Sequence, residues 1–290
     1  MKKTTMFRDL IKREGIVVIP GAFCALVSRI IEDLGFPAVY MSGYGTSSAI
    51  IGKPDAGYAT MTEMVLNAKN IASSVQIPVI SDADTGYGNA VNVTRTIKEF
   101  EQSGVVGVHL EDQTWPKKCG HVAGKRVIST AEMVGKIKAA LDARTDQDFL
   151  IIARTDSRSV LGIQEAIERG NTYAAAGADM VFVDGPQSVD ELKQIGKEIM
   201  APLMVNMSEG GVTPLLNAKQ LESLGFKVVI FPSSVLLAAT KNLMDLLKIL
   251  KTEGTTEKFL KDMLTLKEFH EFIGFPGVYE LEKKYIPEGV

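Results

Sequence analysis

Lys117-Lys118-Cys119-Gly120-His121 places a single thiol among cations, a short way downstream of Asp82-Ala83-Asp84 and Glu111-Asp112. A thiol reaches a useful pKa where neighbouring positive charge favours the thiolate. The loop is therefore expected to be electropositive, with Cys119 as acid, base or nucleophile. The alternative for a lone cysteine is a small apolar filler. That suits Cys24, within Ala22-Phe23-Cys24-Ala25-Leu26-Val27. It suits Cys119 poorly, because Lys117, Lys118, His121, Lys125 and Arg126 all fall within seven residues of it and would be hard to bury. The one tryptophan, Trp115, precedes Pro116 and is expected to anchor the base of this mobile loop.

Asp82 and Asp84 stand two apart at the end of a strand-like run, where a period of two sends both side chains to one face. Glu111 ends a later run, with His109 in the same parity. A few oxygen donors and no His pair at ligand spacing suit Mg²⁺ or Mn²⁺ better than Zn²⁺. The plainer alternative is a pair of aspartates that merely begin a loop. Ser42-Gly43-Tyr44-Gly45 can bring backbone N–H groups close to a carboxylate or oxyanion, or can simply turn. Arg154 is suited to a bidentate carboxylate clamp, or to an internal ion pair with Asp156 or Glu111.

Short apolar, β-branched runs carry these groups: Ile16–Ile19, Ala38–Ser42, Pro78–Asp82, Gly107–Glu111, Phe149–Arg154, Met180–Asp184, Leu203–Asn206 and Val228–Pro232. Their spacing, about 30 residues, is that of a strand–helix unit in a parallel sheet. Helical periodicity fills intervals such as Val91–Ser103, Ala131–Ala143, Gly162–Ala176 and Asn217–Leu224. Eight such units predict an α/β fold, a closed (β/α)₈ barrel. An open doubly wound sheet is the competitor, but Gly21-Ala22-Phe23-Cys24 is not its G-x-G-x-x-G turn. Polar groups end strand after strand, including Asp184-Gly185, Asn206 and Ser233-Ser234, and a barrel gathers them on one rim. The barrel is expected over residues 1–250. Residues 251–290 are expected to add an amphipathic helix at Glu257–Glu271 and an aromatic end at Phe272–Tyr285, packed on the barrel or on a neighbouring subunit.

The remaining composition mainly excludes. The 290 residues are 46% hydrophobic and 23% charged, ordinary values for a globular core. Net charge is −3, from 32 basic and 35 acidic side chains, which suggests neither nucleic acid nor an anionic membrane. No apolar run approaches the roughly 20 residues of a membrane span. The N-terminus begins basic but lacks the apolar stretch of a signal peptide. Two cysteines are too few for a secreted disulfide scaffold and fit a reducing, cytoplasmic setting.

Asp82-Ala-Asp-Thr-Gly-Tyr-Gly88, His109-Leu-Glu-Asp-Gln113, Lys117–His121 and Ala153-Arg-Thr-Asp156 together resemble the isocitrate lyase/phosphoenolpyruvate mutase superfamily, in its order and spacing, across residues 5–250. The resemblance implies a (β/α)₈ barrel, Mg²⁺ at Asp82, Asp84 and Glu111, and a homotetramer that exchanges C-terminal helices. The Cys loop marks the superfamily's carbon–carbon lyases and related oxaloacetate hydrolases; its phosphonate mutases lack this Cys. Carried over residue by residue, Cys119 becomes a general acid, with Lys118, His121 and Asn206 balancing charge. Ser42, Gly43, Tyr44, Gly45 and Arg154 hold the keto-acid half, and Gly120, Asp184 and Ser208 join the substrate-binding set. Tyr40 and Asp55 are the candidates for the initial base. The chain looks most like methylisocitrate lyases, with two departures: Asp184 stands where they carry Glu, and Leu237 where they carry Arg. The loss of that Arg favours a hydroxy dicarboxylate with one fewer carboxylate, such as 2,3-dimethylmalate cleaved to pyruvate and propionate. 2-Methylisocitrate cleavage and oxaloacetate hydrolysis or decarboxylation are the alternatives within the class. A non-catalytic dicarboxylate-binding barrel is the alternative outside it.

Overall fold

The structure, a computed structural model, describes residues 1–286. Each apolar run forms a strand. In chain order the elements are α1 Lys3–Lys12, β1 Val17–Ala22, α2 Ala25–Asp33, β2 Val39–Met41, α3 Gly43–Ile51, α4 Met61–Ser74, β3 Val79–Asp82, α5 Ala90–Gln102, β4 Gly107–Glu111 and α6 Thr130–Ala143. There follow β5 Leu150–Thr155, α7 Arg158–Leu161, α8 Ile163–Ala175, β6 Met180–Val183, α9 Val189–Glu198, β7 Leu203–Asn206, α10 Ala218–Ser223, β8 Val228–Phe231 and α11 Ser234–Glu253. The strands pair in parallel, each with the next, and β1 closes on β8 with Ile19 opposite Ile230. The expected (β/α)₈ barrel is the fold.

The strand period of two sorts the core into an inner and an outer layer. Ile19, Tyr40, Ile80, Ile152, Phe182 and Ile230 belong to one cluster inside the barrel. Their alternates Val39, Met41, Val79, Val108 and Ile151 pack instead with residues of α2, α4, α5 and α6. Val181, Val183, Val205 and Val229 do the same with α8 and α9. Helix starts are set by local chemistry. Thr60 and Glu63 form a capping box on α4, and the Ser129 side chain accepts from Glu132 N–H at the start of α6. Such caps are each worth about 1 kcal/mol. Among the described residues no helix is long and apolar enough to cross a membrane.

The chain divides into two compact units, Met1–Leu237 and Ala238 onward, so the division falls inside α11 rather than at residue 250. The second unit corrects the expected single helix at Glu257–Glu271. A 3₁₀ turn spans Glu257–Asp262, and α12 runs from Leu266 to Ile273. Thr265 explains the break: its hydroxyl accepts from Glu268 N–H at 3.2 Å, and Glu268 accepts from Thr265 N–H at 2.7 Å. That reciprocal box starts a new helix. α13 follows as Phe275–Tyr285, and residues 287–290 of the expected tail lie outside the described residues. None of α11, α12 and α13 contains a buried residue.

α1 joins the inner layer through Phe7, which is fully buried in the cluster inside the barrel. Phe7→Ala is expected to lower unfolding free energy by about 3–5 kcal/mol, as large core truncations do, read from urea unfolding. A change under about 1 kcal/mol would show that α1 is not needed to seal the barrel.

Candidate active site

At the end of β3 the backbone leaves strand geometry at once. Asp84 has φ 46° and Tyr87 φ 58°, left-handed values rare for side-chain-bearing residues. Asp84 N–H donates to Asp82 Oδ1 at 2.9 Å. The two aspartates therefore meet through a tight turn, which corrects the expectation that strand pleat aligns them. Close by, a Cβ on Gly43 would fall 2.3 Å from Asp82 Oδ2, so only glycine lets the start of α3 approach that carboxylate. Ser42 Oγ accepts from Gly45 N–H at 3.1 Å, capping α3. This takes the Gly45 amide away from any ligand, contrary to its expected role.

The end of β4 supplies His109 and Glu111. His109 Nε2 lies 2.8 Å from Tyr40 Oη and 3.5 Å from Asp82 Oδ1. Burial lowers the imidazole to about 4, so it is neutral near pH 7. Glu111 is fully buried with no hydrogen bond to either oxygen, and Arg154 Nε stands 3.3 Å from its Oε2. From β5, Arg154 also engages Asp156 (Nε–Oδ2 2.9 Å, Nη2–Oδ1 3.1 Å) and Asp184 Oδ2 (3.0 Å), with its guanidinium 5.2 Å from the Phe182 ring centre. The internal ion pairs considered for Arg154 are thus formed.

The Cys loop is tied at both ends. Gln113 and Val127 form an isolated antiparallel bridge, and the Gln113 side chain donates to Lys118 C=O at 2.8 Å and accepts from Lys118 N–H at 3.0 Å. Trp115 anchors less than expected: it is 46% exposed, with its ring tilted against Tyr87 at 6.2 Å. Cys119 N–H donates to Asp55 C=O at 3.0 Å. Lys117 Nζ bridges Asp55 Oδ1 (2.5 Å) and Asp84 Oδ1 (2.7 Å), and Lys125 Nζ reaches Asp156 Oδ1 (3.1 Å) and Gly120 C=O. Both ammonium groups are buried. Burial alone would lower the Lys117 pKa, but Asp84 and Asp55 hold it well above the usual lysine range.

These pairings overturn the expected activated thiol. The buried lysines spend their charge on carboxylates, and Lys118 and Arg126 are exposed. Burial is left as the main influence on Cys119 and pushes its thiol above the ordinary range. A protonated sulfur suits an acid.

One cavity of about 250 Å³ collects Tyr40, Ser42, Tyr44, Asp55, Asp82, Cys119, Gly120, His121, Arg154, Asp184, Asn206 and Ser208. Lys118 does not line it; it borders a separate surface hollow with Gln113 and Arg126. Ser233, expected on the rim, lines it too, as do residues that sequence reasoning had not placed, Phe182, Glu209, Ile230 and Pro232. Only their positions in or just after strands β6 to β8 could have signalled them. Val212 N–H donates to His121 Nδ1 at 3.2 Å, leaving Nε2 to face the Asn206 amide at 3.1 Å.

The acidic residues suit a hard cation. Burial pushes the Asp84 carboxyl up to about 6 despite Lys117 beside it, and pushes Glu111 well above the usual range. Asp82 ends below its usual value, because His109, Lys117 and Arg154 outweigh its burial. Buried oxygens without hydrogen bonds are costly unless water or an ion meets them. Among the described residues no three such side chains form a closed metal cage. Mg²⁺ is commonly held by one or two carboxylates, with water and substrate completing its shell.

The family model for phosphoenolpyruvate phosphomutase matches residues 7–251. The chain is 47% identical to 2,3-dimethylmalate lyase of Eubacterium barkeri over 285 residues, 98% of this chain and 99% of that protein. A crystal structure of 2,3-dimethylmalate lyase, a member of the PEP mutase/isocitrate lyase superfamily, matches with a TM-score of 0.93 and 34% identity, covering 100% of this chain and 97% of that one. Phosphonopyruvate hydrolase crystallised with oxalate and Mg²⁺ matches with a TM-score of 0.90 and 29% identity, over 99% and 100% of the two chains. The chain belongs to the PEP mutase/isocitrate lyase superfamily. It is an enzyme, and it stands among the carbon–carbon lyases of that superfamily.

Gly120 fixes how the Cys loop seats. A Cβ there would lie 1.6 Å from Asp184 Oδ2 and 2.7 Å from Arg154 Nη2. Gly120→Ala is expected to keep the fold, by circular dichroism, while turnover falls about 10²-fold or more, the scale of an ångström-sized misplacement. Turnover within threefold of the parent would mean that this seating of the loop is not the productive one.

Proposed function

We propose that the chain cleaves a 2-hydroxy dicarboxylate of the alkylmalate class, 2,3-dimethylmalate, to pyruvate and propionate. The carrying observation is the make-up of the cavity wall. Among the described residues Arg154 is the one Lys or Arg that lines it, and Phe182, Ile230, Pro232 and Leu237 give it an apolar side. Such a wall accepts an alkyl branch and offers no cation for a third carboxylate.

Mg²⁺, or Mn²⁺, bound through Asp82, Asp84 and Glu111 would supply Lewis-acid polarisation of the 2-hydroxyl and its adjacent carboxylate. Arg154, held by Asp156 and Asp184, presents a fixed guanidinium to that carboxylate. Asp55 is the better base. The Tyr40 phenol is pushed well above its usual pKa by burial and then by Asp82, and its hydroxyl is tied to His109. Asp55 takes the hydroxyl proton, the C2–C3 bond breaks, and its electron pair stays on C3. Cys119, kept protonated by burial, delivers its proton to C3. His121 and Asn206 face the carboxylate of the departing fragment, and the seated loop keeps bulk water away.

The unit from Ala238 onward supports assembly as a homotetramer: its helices bury no residue of their own, and Leu243, Leu247 and Leu281 are exposed.

Assay with Mg²⁺ of 2,3-dimethylmalate, 2-methylisocitrate and oxaloacetate, with the products identified, tests the reading directly. Preference for either of the last two would replace it. Cys119→Ser is expected to bind pyruvate as the parent does and to lose about 10²–10⁴-fold in turnover. In the parent, only the protonated sulfur can act and its pKa is raised, so turnover should persist through neutral pH and fall as pH rises through that raised value. A midpoint at or below about 8.5, the ordinary thiol value, would assign the falling limb to another group. Leu237→Arg is expected to raise turnover of 2-methylisocitrate relative to dimethylmalate at least about tenfold, as one added ion pair of about 1.4 kcal/mol would. An unchanged ratio removes the argument from the apolar wall.

A further inference from the structure

We infer that Asp112 is a positioning residue that holds the Arg154 clamp and the Cys119 loop in one register. The inference rests on the reading of Arg154 and Cys119 given above. Asp112 is fully buried beside Glu111 and does not line the cavity. Its Oδ1 accepts from Asp156 N–H at 2.9 Å. Its Oδ2 accepts from Thr155 Oγ1 at 2.7 Å, Tyr173 Oη at 2.9 Å and Arg169 Nη1 at 3.1 Å. A single carboxylate thus gathers four donors, two from the end of β5 and two from α8.

Its backbone makes the other half of the connection. Asp112 N–H donates to Arg154 C=O at 3.2 Å, and Asp112 C=O accepts from Ile128 N–H at 2.8 Å, where the Cys loop returns. Arg169 Nη1 also donates to Ile128 C=O at 2.9 Å. Beyond Asp156 the path divides: its carboxylate binds Arg154 on one side, and on the other Lys125, which reaches Gly120 C=O in the loop. Asp112 therefore fixes the backbone N–H of the residue that aims the clamp, and fixes the strand on which the thiol loop returns. Charged hydrogen bonds of this kind are short and directional, and outer partners of a site commonly change activity by about 10–100-fold when lost.

The test uses the full chain and two readouts. The first is the iodoacetamide alkylation rate of Cys119, followed by peptide mass so that Cys24 is scored apart. The second is kcat/KM with dimethylmalate. Asp112→Asn is expected to speed Cys119 alkylation about tenfold and to lower kcat/KM about 10–100-fold, with Tyr173→Phe moving both the same way by less. Phe7→Ala, destabilised at the far side of the barrel, serves as the reference for stability loss alone. The inference is overturned if Asp112→Asn and Tyr173→Phe match Phe7→Ala in both readouts. If Asp112→Asn does not fold, Thr155→Val and Tyr173→Phe carry the same comparison. If the parent does not cleave dimethylmalate, the substrate reading fails alone, because alkylation still decides whether Asp112 sets the loop.

Discussion

A guanidinium buried among three carboxylates constrains everything around it. Arg154 meets Asp156, Asp184 and Glu111 within 3.3 Å of each. An ion pair taken out of water repays its desolvation only when its geometry is close and its remaining hydrogen bonds are met. Asp156 meets that condition, with Arg154 and Lys125 on its carboxylate and its backbone N–H on Asp112. Glu111 does not, since both of its oxygens lack hydrogen bonds. This under-satisfied acid belongs to a motif that implies a metal. Spare negative charge has been left where a cation is wanted and removed where it is not.

That division explains why five positive or titratable neighbours fail to activate Cys119. A cation lowers a thiol pKa only if its field is not already spent. Lys117 sits on Asp55 and Asp84, Lys125 sits on Asp156, and Lys118 points away from the cavity. Charge counted along the chain looked like an electropositive loop. In three dimensions Lys117 and Lys125 are the fastenings that hold the loop to the rim.

What could be read from residues alone follows from this difference between local and distant chemistry. All eight strands were legible, because a buried parallel strand is written as a continuous apolar run with a polar end. Asp82, Glu111 and Arg154 were legible for the same reason, since they stand at or beside those ends, whereas Cys119 was legible from the cations around it in the loop after β4. The partner of each charge was not legible, because pairing crosses from one strand end to the next. Nor was the turn at Asp84, whose left-handed backbone is imposed by contacts of Asp82, and strand parity gave a false reason for a true proximity. The C-terminal helix was misjudged where Thr265 and Glu268 outweigh a hydrophobic periodicity that runs straight across them. α1 offered too little signal, because Phe7 is its one buried side chain.

The burial that raises the thiol also bears on the choice of substrate. A sulfur flanked by free cations would be a thiolate, suited to attack but with no proton to give. The lysines must therefore be paired before Cys119 can serve as the proposed acid, and their partners are Asp55, Asp84 and Asp156. Once those charges are matched, no surplus positive charge remains on the cavity wall toward Pro232 and Leu237. An extra carboxylate would have to be buried there without a partner, at a cost of several kcal/mol. An alkyl group gains by burial at the same place. On the proposed mechanism, acid chemistry at Cys119 and preference for a substrate poor in charge are thus two consequences of one electrostatic balance.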